Sequence, residues 1–471
     1  MTAYLDAMVN LQWFFLLYFF IVNSSYLMLN VLAYIGMRRQ LGGQIMENIP
    51  HAYTGFMPPV SVLVPAYNEA TTIASSVRSQ LQLTYHEYEV IVVNDGSADN
   101  TMEELKREFD LLPFPEAYWH KLPTQKVRGV WRSTRYPNLR VIDKDNGGKA
   151  DALNAGINAS RYPLFCAVDA DSVLQRDSLQ LIALPFVEDN RTIAVGGTIR
   201  VLNGCEVSGG FLGTVGMPRT MLPAMQIVEY LRAFLFGRLG WSELNAMLVI
   251  SGAFGLFRKS AVIEAGGYRT DTVGEDMELV MRLHRVHRQR AIPYRIVYVP
   301  NPVCWTEVPE SLGVLKNQRA RWQRGLAESL TKNVGLLFCV RGGWAGWVAF
   351  PFNVVFEWLG PIIELSGYAF MILGFWYGAV SGHVFLAFSL VAVMLGVLQS
   401  TSALLLEEMS FHLYPEPRQV YTLFLISVIE NFGYRQLVLI WRMQGLLQWM
   451  FGVRPKWGKM TRSGKWNDDR S

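Results

Sequence analysis

Cysteine is scarce in this sequence. The 471 residues include four cysteines, Cys166, Cys205, Cys304 and Cys339, which are far apart and form no Cys-x-x-Cys pair. This spacing provides neither a disulfide framework nor the ligand pairs of a structural zinc site. The net charge of +4 is also small, and no basic stripe interleaved with aromatic residues occurs. We therefore expect reduced thiols and no nucleic-acid partner.

Basic residues are absent from a long stretch near the end of the chain. No lysine or arginine occurs between Gly342 and Pro417, where Phe, Leu, Val and Trp are frequent. Another apolar run extends from Leu11 to Met37. A helix of about 20 apolar residues is long enough to cross the ~30 Å hydrocarbon core of a bilayer. The composition therefore predicts an integral membrane protein with the lipid bilayer as a partner.

The start of the chain lacks the basic residues of a secretory signal. Its first ten residues include Asp6 but no lysine or arginine, so we expect a transmembrane helix rather than a cleaved signal. Arg38 and Arg39 directly follow the apolar run. The positive-inside rule then places the N-terminus outside and the following domain in the cytoplasm. A multi-pass protein of the cell (inner) membrane is predicted.

Composition divides the chain into four regions. We expect an N-terminal transmembrane helix over 1–40, a cytosolic domain over 58–340, further transmembrane helices over 343–451, and a basic cytoplasmic tail over 452–471. Three or five crossings in total would keep the tail inside.

Within the second apolar region the sequence predicts a Pro-kinked span over 344–376 and another over 383–406. The segment that follows is either a further pair of spans or a partly interfacial helix. Glu430, Asn431 and Arg435 would be costly in contact with lipid, so they should face a cavity or each other.

The middle region alternates strand-like and helical segments. "VSVLVPA", "EVIVVND", "LRVIDKD" and "LFCAVDAD" are apolar runs of strand length, separated by amphipathic stretches. Continuous Val/Ile runs joined by helices predict a mostly parallel sheet covered on both faces. Ligands of such sheets bind beyond the carboxyl ends of the strands. Residues 217–240 further predict one amphipathic helix, either at the membrane face or on the domain's own core.

Two acids end the fourth strand-like run. Asp169 and Asp171 are separated by one residue and, in an extended chain, point to the same side. Such a pair suits one hard divalent cation, Mg²⁺ or Mn²⁺, with diphosphate oxygens as further ligands. The alternative is that both acids only end the strand and cap a helix.

Two further polar residues follow strand-like runs. Asp95 precedes a Gly-Ser turn and could accept a hydrogen bond from a base or ribose, or serve the turn alone. Lys149 follows two glycines, which let the backbone approach a ligand while the ammonium reaches phosphates. A solvated loop lysine is the alternative.

Two helical segments carry the remaining candidates. Glu275 and Asp276 begin an amphipathic helix. Acids at this position either interact favourably with the helix dipole or, if one points into the crevice, act as a general base. Gln318, Arg321 and Trp322 share one helical face. Arginine suits a diphosphate and tryptophan a sugar ring, although a Trp-Arg pair at a membrane surface is equally typical.

In this order the motifs "VPAYNE", "VNDGS", "NGGKADALNAG", "DAD", "GED" and "QRARW" resemble the signatures of processive family-2 glycosyltransferases. These are the membrane synthases of hyaluronan, cellulose, chitin and poly-β-1,6-N-acetylglucosamine. The resemblance covers residues 58–330 and implies a GT-A α/β fold, with a cytosolic domain embedded in an α-helical membrane region. It also implies a UDP-sugar donor, a growing glycan acceptor, Mg²⁺ or Mn²⁺ and an accessory export subunit as a further candidate partner.

The resemblance also implies roles for individual residues. Asp276 would be the catalytic base, with Glu275 beside it, and Asp169 and Asp171 would hold the metal. The acceptor would contact Trp322 and the segment that contains Ser251, Gly252 and Phe254. The nucleotide-sugar site would contain Pro65, Tyr67, Glu69, Asp95, Lys149, Asp169, Gln318, Arg319 and Arg321. One departure is Gly274, where several members of the family have threonine.

By this resemblance we expect an inverting synthase of a β-linked polysaccharide that also moves its product across the membrane. The motif "NGGKADALN" and the single N-terminal span favour UDP-GlcNAc as the donor and a poly-N-acetylglucosamine product. Hyaluronan-type or β-glucan synthesis and transfer of one sugar to a lipid are enzymatic alternatives. A membrane transporter or scaffold is the non-enzymatic alternative.

Overall fold

The computed structural model describes residues 2–43, 56–208 and 210–453. Most of the predicted basic tail, from residue 454 onward, lies outside the described residues, as does part of the linker before the middle domain.

A mixed sheet forms the centre of the middle domain. In the described chain its strand order is β3-β4-β5-β2-β1-β6-β11-β8-β12-β7, and β9 and β10 form a separate hairpin. The strands are β1 (Val60–Ala66), β2 (Tyr88–Asp95), β3 (Leu111–Pro113), β4 (Val127–Ser133), β5 (Leu139–Lys144), β6 (Leu164–Val168), β7 (Val173–Leu174), β8 (Thr192–Val201), β9 (Val207–Ser208), β10 (Phe211–Leu212), β11 (Phe254–Arg258) and β12 (Arg295–Thr306).

The central strands β5, β2, β1 and β6 are parallel, as their uninterrupted apolar runs predicted. Each is nearly buried along its length, because helices cover both faces of the sheet. β11 then runs antiparallel between β6 and β8. This pairing brings the loop before β11 next to the end of β6, where the amide of Asp169 donates to the carbonyl of Ala253 over 3.2 Å.

Helices connect the strands and form the membrane region. Those before residue 340 are α1 (Thr2–Gly43), α2 (Ile73–Leu81), α3 (Thr101–Phe109), α4 (Lys149–Ala159), α5 (Ser178–Glu188), α6 (Met221–Glu229), α7 (Arg238–Glu243), α8 (Lys259–Glu264), α9 (Glu275–Gln289) and α10 (Leu312–Lys332), with a short 3₁₀ turn at Val334–Leu336. Those after it are α11 (Phe350–Phe352), α12 (Gly360–Trp376), α13 (Gly382–Ser389), α14 (Leu395–Ser410), α15 (Pro417–Ile429) and α16 (Tyr434–Met450), with π-helical segments at Ala345–Ala349, Asn353–Trp358 and Leu390–Met394.

The single amphipathic helix predicted over 217–240 is not observed in that form. α6 begins at Met221, a π-helical segment Tyr230–Gly237 follows, and α7 continues to Glu243. The hydrophobic pattern could not reveal this change, because a π segment shifts the register of a helix without interrupting it.

Two helices in the described residues are individually long and apolar enough to cross a membrane: Met8–Gln40 and Gly382–Ser410. Two bent pairs of helices pass the same test together. One joins Ala345–Trp358 to Gly360–Trp376 with a bend of 48°, beside Pro361, and the other joins α15 to α16 with a bend of 58°. The described chain therefore offers up to four candidate spans by length and composition, which is fewer than the five-crossing alternative needs.

The polar residues at the second bend face each other and a partner from the π segment. The carboxylate of Glu430 accepts from Arg232, Ser400 and Arg435, and its side chain is fully buried. Asn431 is also buried and donates to Ser427. Of the two arrangements expected for these residues, mutual pairing is therefore the one observed.

The first bend is held by α10 and α16. Gln323 donates to the carbonyls of Glu357 and Trp358 over 2.9 and 3.0 Å, and Arg442 donates to the same Glu357 carbonyl over 2.6 Å. A break in a helix leaves such carbonyls without partners in their own helix. The membrane region is thus tied by hydrogen bonds to the helix that carries the "QRARW" motif.

Helices α9 and α10 approach each other through two glycines. A Cβ added at Gly325 would lie 3.0 Å from the Cα of Gly274 and 3.2 Å from its nitrogen. A Cβ at Gly274 would lie 2.9 Å from the Cα of Gly325. The departure from threonine at position 274 therefore has a steric reason in this chain.

We predict that Gly325→Ala lowers the free energy of unfolding by about 1–3 kcal/mol, because the added methyl forces the two helices apart. Thermal unfolding of the detergent-solubilised protein measures the change. Gly313→Ala is the matched control, since a Cβ at this position of the same helix meets no atom within 4 Å. Equal unfolding temperatures for the two variants would contradict the prediction.

Candidate active site

Lys149 lies at the centre of the candidate site, at the carboxyl edge of the parallel strands. Its Nζ is 2.5 Å from Asp169 Oδ1 and 3.9 Å from Glu275 Oε1, and it donates to the carbonyl of Gly252 over 3.1 Å. Three segments far apart in sequence therefore meet at one ammonium group.

The two glycines before Lys149 let the chain enter α4 at this position. Gly148 has a φ of +87°, a left-handed conformation that favours glycine. A Cβ at Gly147 would lie 2.6 Å from the carboxylate of Asp151. The side chain of Lys149, the first residue of α4, is thereby delivered to the strand ends.

Burial and neighbouring charges set the protonation of this cluster. Burial alone would lower the pKa of Lys149, but the carboxylates of Asp169 and Glu275 outweigh it and hold that pKa above its ordinary value. Burial raises the pKa of Glu275 to about 7, although the Lys149 ammonium lowers it. The site therefore holds a lysine that stays charged beside a carboxyl group that titrates near neutral pH.

Asp276 is fixed by backbone amides. Its Oδ2 accepts from the amide of Gly252 and its Oδ1 from the amide of Met277, both over 2.8 Å. A Cβ at Gly252 would lie 3.1 Å from both Asp276 Oδ2 and Lys149 Nζ. The carboxylate is thus held in one orientation at the N-terminus of α9 and retains lone pairs for a proton.

The pair Asp169 and Asp171 follows β6, with the Asp169 side chain 31% exposed. Among the described residues no group of three or more His, Cys, Asp or Glu side chains could hold a metal ion. Two carboxylates are hard oxygen ligands that suit Mg²⁺ or Mn²⁺ when a ligand such as a diphosphate supplies others. The donor chemistry therefore fits a metal shared with a substrate.

Asp95, predicted at the nucleotide, is fully engaged by the chain itself. Its carboxylate pairs with Lys144 and accepts from the amides of Gly147 and Gly148 over 3.0 and 2.7 Å. The side chain is buried, as is Lys144, which also pairs with Asp151 over 2.6 Å. Asp95 therefore holds the loop that delivers Lys149, and its contact with a nucleotide stays a prediction.

The loop after β1 contains the other predicted nucleotide residues. Pro65 lies near the end of β1, and Tyr67 is half exposed just beyond it. Glu69 accepts from Thr72 over 2.9 Å. Asn68, with a φ of +58°, donates its amide to Ser97 over 3.0 Å and so joins this loop to the turn after Asp95.

The "QRARW" residues divide into two groups. Gln318 and Arg319 are buried, and Arg319 donates to Glu229 of α6 over 2.9 Å. Arg321 and Trp322 are half-buried on the same helix. Arg319 therefore joins α10 to α6.

Of the predicted acceptor segment, Ser251 and Gly252 are half-buried in the loop beside Asp276, whereas Phe254 is fully buried within β11. The Trp322 ring lies 5.7 Å from the Phe234 ring, centroid to centroid. Sequence reasoning missed Glu229 and Phe234, and the arginines of the amphipathic stretch were the one available signal of polar contacts there.

We predict that Asp95→Ala lowers the free energy of unfolding by about 3–5 kcal/mol, because it leaves a buried ammonium with one partner fewer. Denaturation followed by intrinsic fluorescence measures this loss. Asp145→Ala is the control, since its ion pair with Arg128 is half exposed and should contribute less than about 1 kcal/mol. A loss for Asp95→Ala no larger than that of the control would contradict the interpretation.

Comparison with known proteins identifies families and relatives that this chain resembles in sequence. The model of "Glycosyl transferase family 2" matches residues 61–263, and that of "Glycosyl transferase family group 2" matches residues 164–406. The poly-β-1,6-N-acetyl-D-glucosamine synthases of Staphylococcus aureus and Staphylococcus epidermidis are 31% identical over 277 residues. The match covers 58% of this chain and 56% of theirs, so the chain spans little more than half the length of these relatives.

Two solved structures resemble the fold of this chain with TM-scores below 0.5. The mannosyltransferase PcManGT from Pyrobaculum calidifontis, in complex with GDP-Man and Mn²⁺, has 17% identity and a TM-score of 0.49, covering 90% of this chain and 100% of that one. Glucosyl-3-phosphoglycerate synthase from Mycobacterium tuberculosis, with Mn²⁺, UDP and glucosyl-3-phosphoglycerate, has 16% identity and a TM-score of 0.35, covering 59% and 81%. TM-scores below 0.5 carry no argument about ligands, and the family assignment depends on the sequence matches alone. Since one family model covers more than half of its 471 residues, the chain belongs to glycosyl transferase family group 2, with the α/β GT-A fold that its motifs predicted.

Proposed function

We propose that this membrane protein is an inverting glycosyltransferase that builds a β-linked polysaccharide from a UDP-sugar and moves the product across the membrane. One observation carries the proposal: Lys149, Asp169, Glu275 and Asp276 meet at the carboxyl edge of the parallel strands. This is the place where open α/β sheets bind their ligands.

The reaction that this arrangement supports is one in-line displacement at the anomeric carbon. Asp276 takes the proton of the acceptor hydroxyl, whose oxygen forms the new bond to the anomeric carbon. The bond from that carbon to the diphosphate oxygen breaks, and UDP leaves with the electron pair. One displacement converts an α-linked donor into a β-glycoside. A carboxylate is a modest base, so the fixed orientation given by the Gly252 and Met277 amides supplies part of the acceleration.

The reaction also requires that the negative charge on the departing diphosphate be stabilised. Lys149 is held by acids, and Arg321 lies on the neighbouring helix α10, so both are candidate cations for the phosphates. Asp169 and Asp171 would hold Mg²⁺ or Mn²⁺, which as a Lewis acid stabilises negative charge on phosphate oxygens. In the described structure Lys149 lies against Asp169, so we expect donor binding to rearrange this ion pair.

UDP-GlcNAc is the donor that we favour, and a poly-N-acetylglucosamine polymer the product. The support is the 31% identity to staphylococcal synthases named for that polymer, together with the motif resemblance. Up to four candidate spans support transport of the product through or beside the helical region. An accessory export subunit remains a proposed partner.

The proposal is tested by product formation from the nanodisc-embedded protein. UDP-GlcNAc, UDP-Glc and UDP-GlcA are offered singly and in pairs with Mg²⁺ or Mn²⁺, and products are sized before and after linkage-specific glycosidases. A large polymer from UDP-GlcNAc alone supports the proposal. A polymer from another donor identifies a different synthase, and a single-sugar lipid contradicts polymerisation.

We predict that Asp276→Asn reduces transfer by at least about 10²-fold, because general base catalysis is lost while the side chain keeps nearly the same shape. UDP binding, measured by calorimetry, should stay unchanged. Transfer near the wild-type rate would show that another group is the base.

We also predict a change in the pH dependence of stability for Glu275→Gln. Burial raises the pKa of Glu275 from 4.5 to about 7, so between these values the unfolded chain releases a proton that the folded chain retains. Glu275 therefore lowers stability as pH rises from about 4.5 to 7. Unfolding temperatures measured in metal-free buffer should converge at low pH, and at pH 8 the variant should be the more stable. A constant difference across this range would contradict the assignment.

A further inference from the structure

The loop before α9 carries the chain into Glu275 and Asp276. Residues 270–274 belong to neither a helix nor a strand, and α9 begins at Glu275 directly after them. Such a loop has no ladder of backbone hydrogen bonds to fix its path, so side chains of neighbouring elements must do so. The position of the candidate base therefore depends on the contacts of this loop.

Glu328 of α10 makes two of these contacts. Its Oε2 accepts from the hydroxyl of Thr272 and from the amide of Val273, both over 2.9 Å. The hydroxyl oxygen of Thr272 in turn accepts from the amide of Gly274 over 3.2 Å. One carboxylate oxygen thus holds two consecutive residues of the loop directly, and through the threonine it holds the residue that precedes α9.

Arg324 orients the carboxylate of Glu328. The two residues are one turn apart on α10, and Arg324 Nε donates to Glu328 Oε1 over 2.7 Å. Their side chains are 15% and 13% exposed, so this charge-assisted hydrogen bond is largely shielded from water. Arg324 also donates to the carbonyl of Val453, just after α16. Both oxygens of Glu328 are therefore engaged, one by its own helix and one by the loop.

This contact lies at the border of the candidate site. A cavity of about 300 Å³ is lined by Glu328, Arg324 and Thr272 together with Lys149 and Glu275. The helix that carries the "QRARW" motif therefore holds the loop beside the site and not at a distance from it.

Two other contacts between α10 and this loop are weaker. Lys332 Nζ lies 2.6 Å from Asp271 Oδ2, but the Asp271 side chain is 54% exposed, and water screens exposed pairs of this kind. Ser329 donates to the Gly274 carbonyl over 3.3 Å. The shorter and less exposed hydrogen bonds of Glu328 are therefore the principal hold of α10 on the loop.

We infer that Glu328 is a positioning residue for the transfer reaction, acting through the loop before α9 to set where Asp276 meets the acceptor hydroxyl. This inference rests on the proposed function, in which Asp276 is the base, and deepens it by adding a residue outside the reacting groups. The amides of Gly252 and Met277 orient the Asp276 carboxylate, whereas Glu328 holds the chain that carries it.

Displacement of this loop should slow transfer without weakening the binding of the donor. A misplacement of about 1 Å can lower the rate about 10²-fold, because base catalysis requires a defined geometry. The candidate donor groups Lys149 and Asp169 lie at the start of α4 and after the end of β6, outside this loop. We therefore expect an effect on kcat, with the donor KM and the Kd of UDP nearly unchanged.

The first test compares Glu328→Ala with the wild type as full-length protein in nanodiscs, using the UDP-sugar that the product assay identifies. The kcat should fall about 10- to 100-fold, with the donor KM and the UDP Kd changed by less than about twofold. A rise in either constant that accounts for the lost activity would assign Glu328 to donor binding and overturn the inference.

Glu116→Ala is the matched control. The Glu116 side chain is 16% exposed and accepts from Arg140 and Arg161, each over 2.6 Å, near the amino ends of β5 and β6. Its loss removes a similarly buried carboxylate with two partners at the other edge of the sheet. The control should lower the unfolding temperature, as Glu328→Ala does, but leave kcat within about twofold of the wild type.

Conservative variants separate positioning from charge. Glu328→Gln keeps the length of the side chain and an oxygen that can accept from Thr272 and Val273, whereas Glu328→Asp keeps the charge but is one methylene shorter. Glu328→Gln should therefore retain more of the wild-type kcat, and the opposite order would overturn the inference. Thr272→Val removes the hydroxyl on the other side of the contact and should also lower kcat, so the test stands if Glu328→Ala fails to fold.

Hydrogen exchange measures the coupling without turnover. Glu328→Ala should raise deuterium uptake in peptides from residues 270–277 and in the peptide that contains Gly252, whose amide donates to Asp276. Glu116→Ala should raise neither. Unchanged exchange of the Gly252 peptide in every folded variant would overturn the inference. Wild-type protein that shows this coupling but transfers no sugar from any UDP-sugar would instead contradict the proposed function.

Discussion

The ion pair between Lys149 and Asp169 is the interaction around which the candidate site is organised. It joins the start of α4 to the end of β6, and through the Gly252 carbonyl it reaches the loop that orients Asp276. Several acids gathered at one edge would repel each other without a cation among them. Burial of that cation is tolerated because carboxylates surround it. The same contacts of Lys149 therefore both balance the charge of the site and fix its geometry.

Asp95 and Lys144 form a second layer beneath this arrangement. Their pair is buried, and the Asp95 carboxylate fixes Gly147 and Gly148 and therefore the start of α4. Loss of Asp95 would leave the buried Lys144 with Asp151 as its remaining carboxylate partner among the described residues, which is costly in the interior. An acid at a strand end can thus shape a candidate site from below, because it sets the path of the loop that carries Lys149.

Much of this could be predicted from sequence, and the limits have physical reasons. Val60–Ala66 and Tyr88–Asp95 were evident as strands because both faces are buried and apolar residues dominate each run, with Ser61 and Glu89 near the starts as exceptions. The positions of Asp169 and Asp276 at the edge of the sheet followed from the strand and helix boundaries alone. The partners of Asp95 and Arg319 did not, since Lys144 and Glu229 are 49 and 90 residues away and no local pattern pairs them. The π-helical segment was equally hidden, because it shifts the register of a helix that continues on both sides of it.

Gly445 lets the backbones of α10 and α16 approach each other directly. A Cβ at this residue would lie 2.2 Å from the carbonyl oxygen of Ala320, so the two backbones touch at the centre of the "QRARW" motif. Contact this close leaves no layer of side chains that could be replaced by solvent if the helices were separated. The domain built on the central sheet and the C-terminal helical region therefore meet at main chain here, and the natural unit for expression or for transplantation into another scaffold is the two together. A fragment ending at Lys332 would expose a groove shaped to receive a helix.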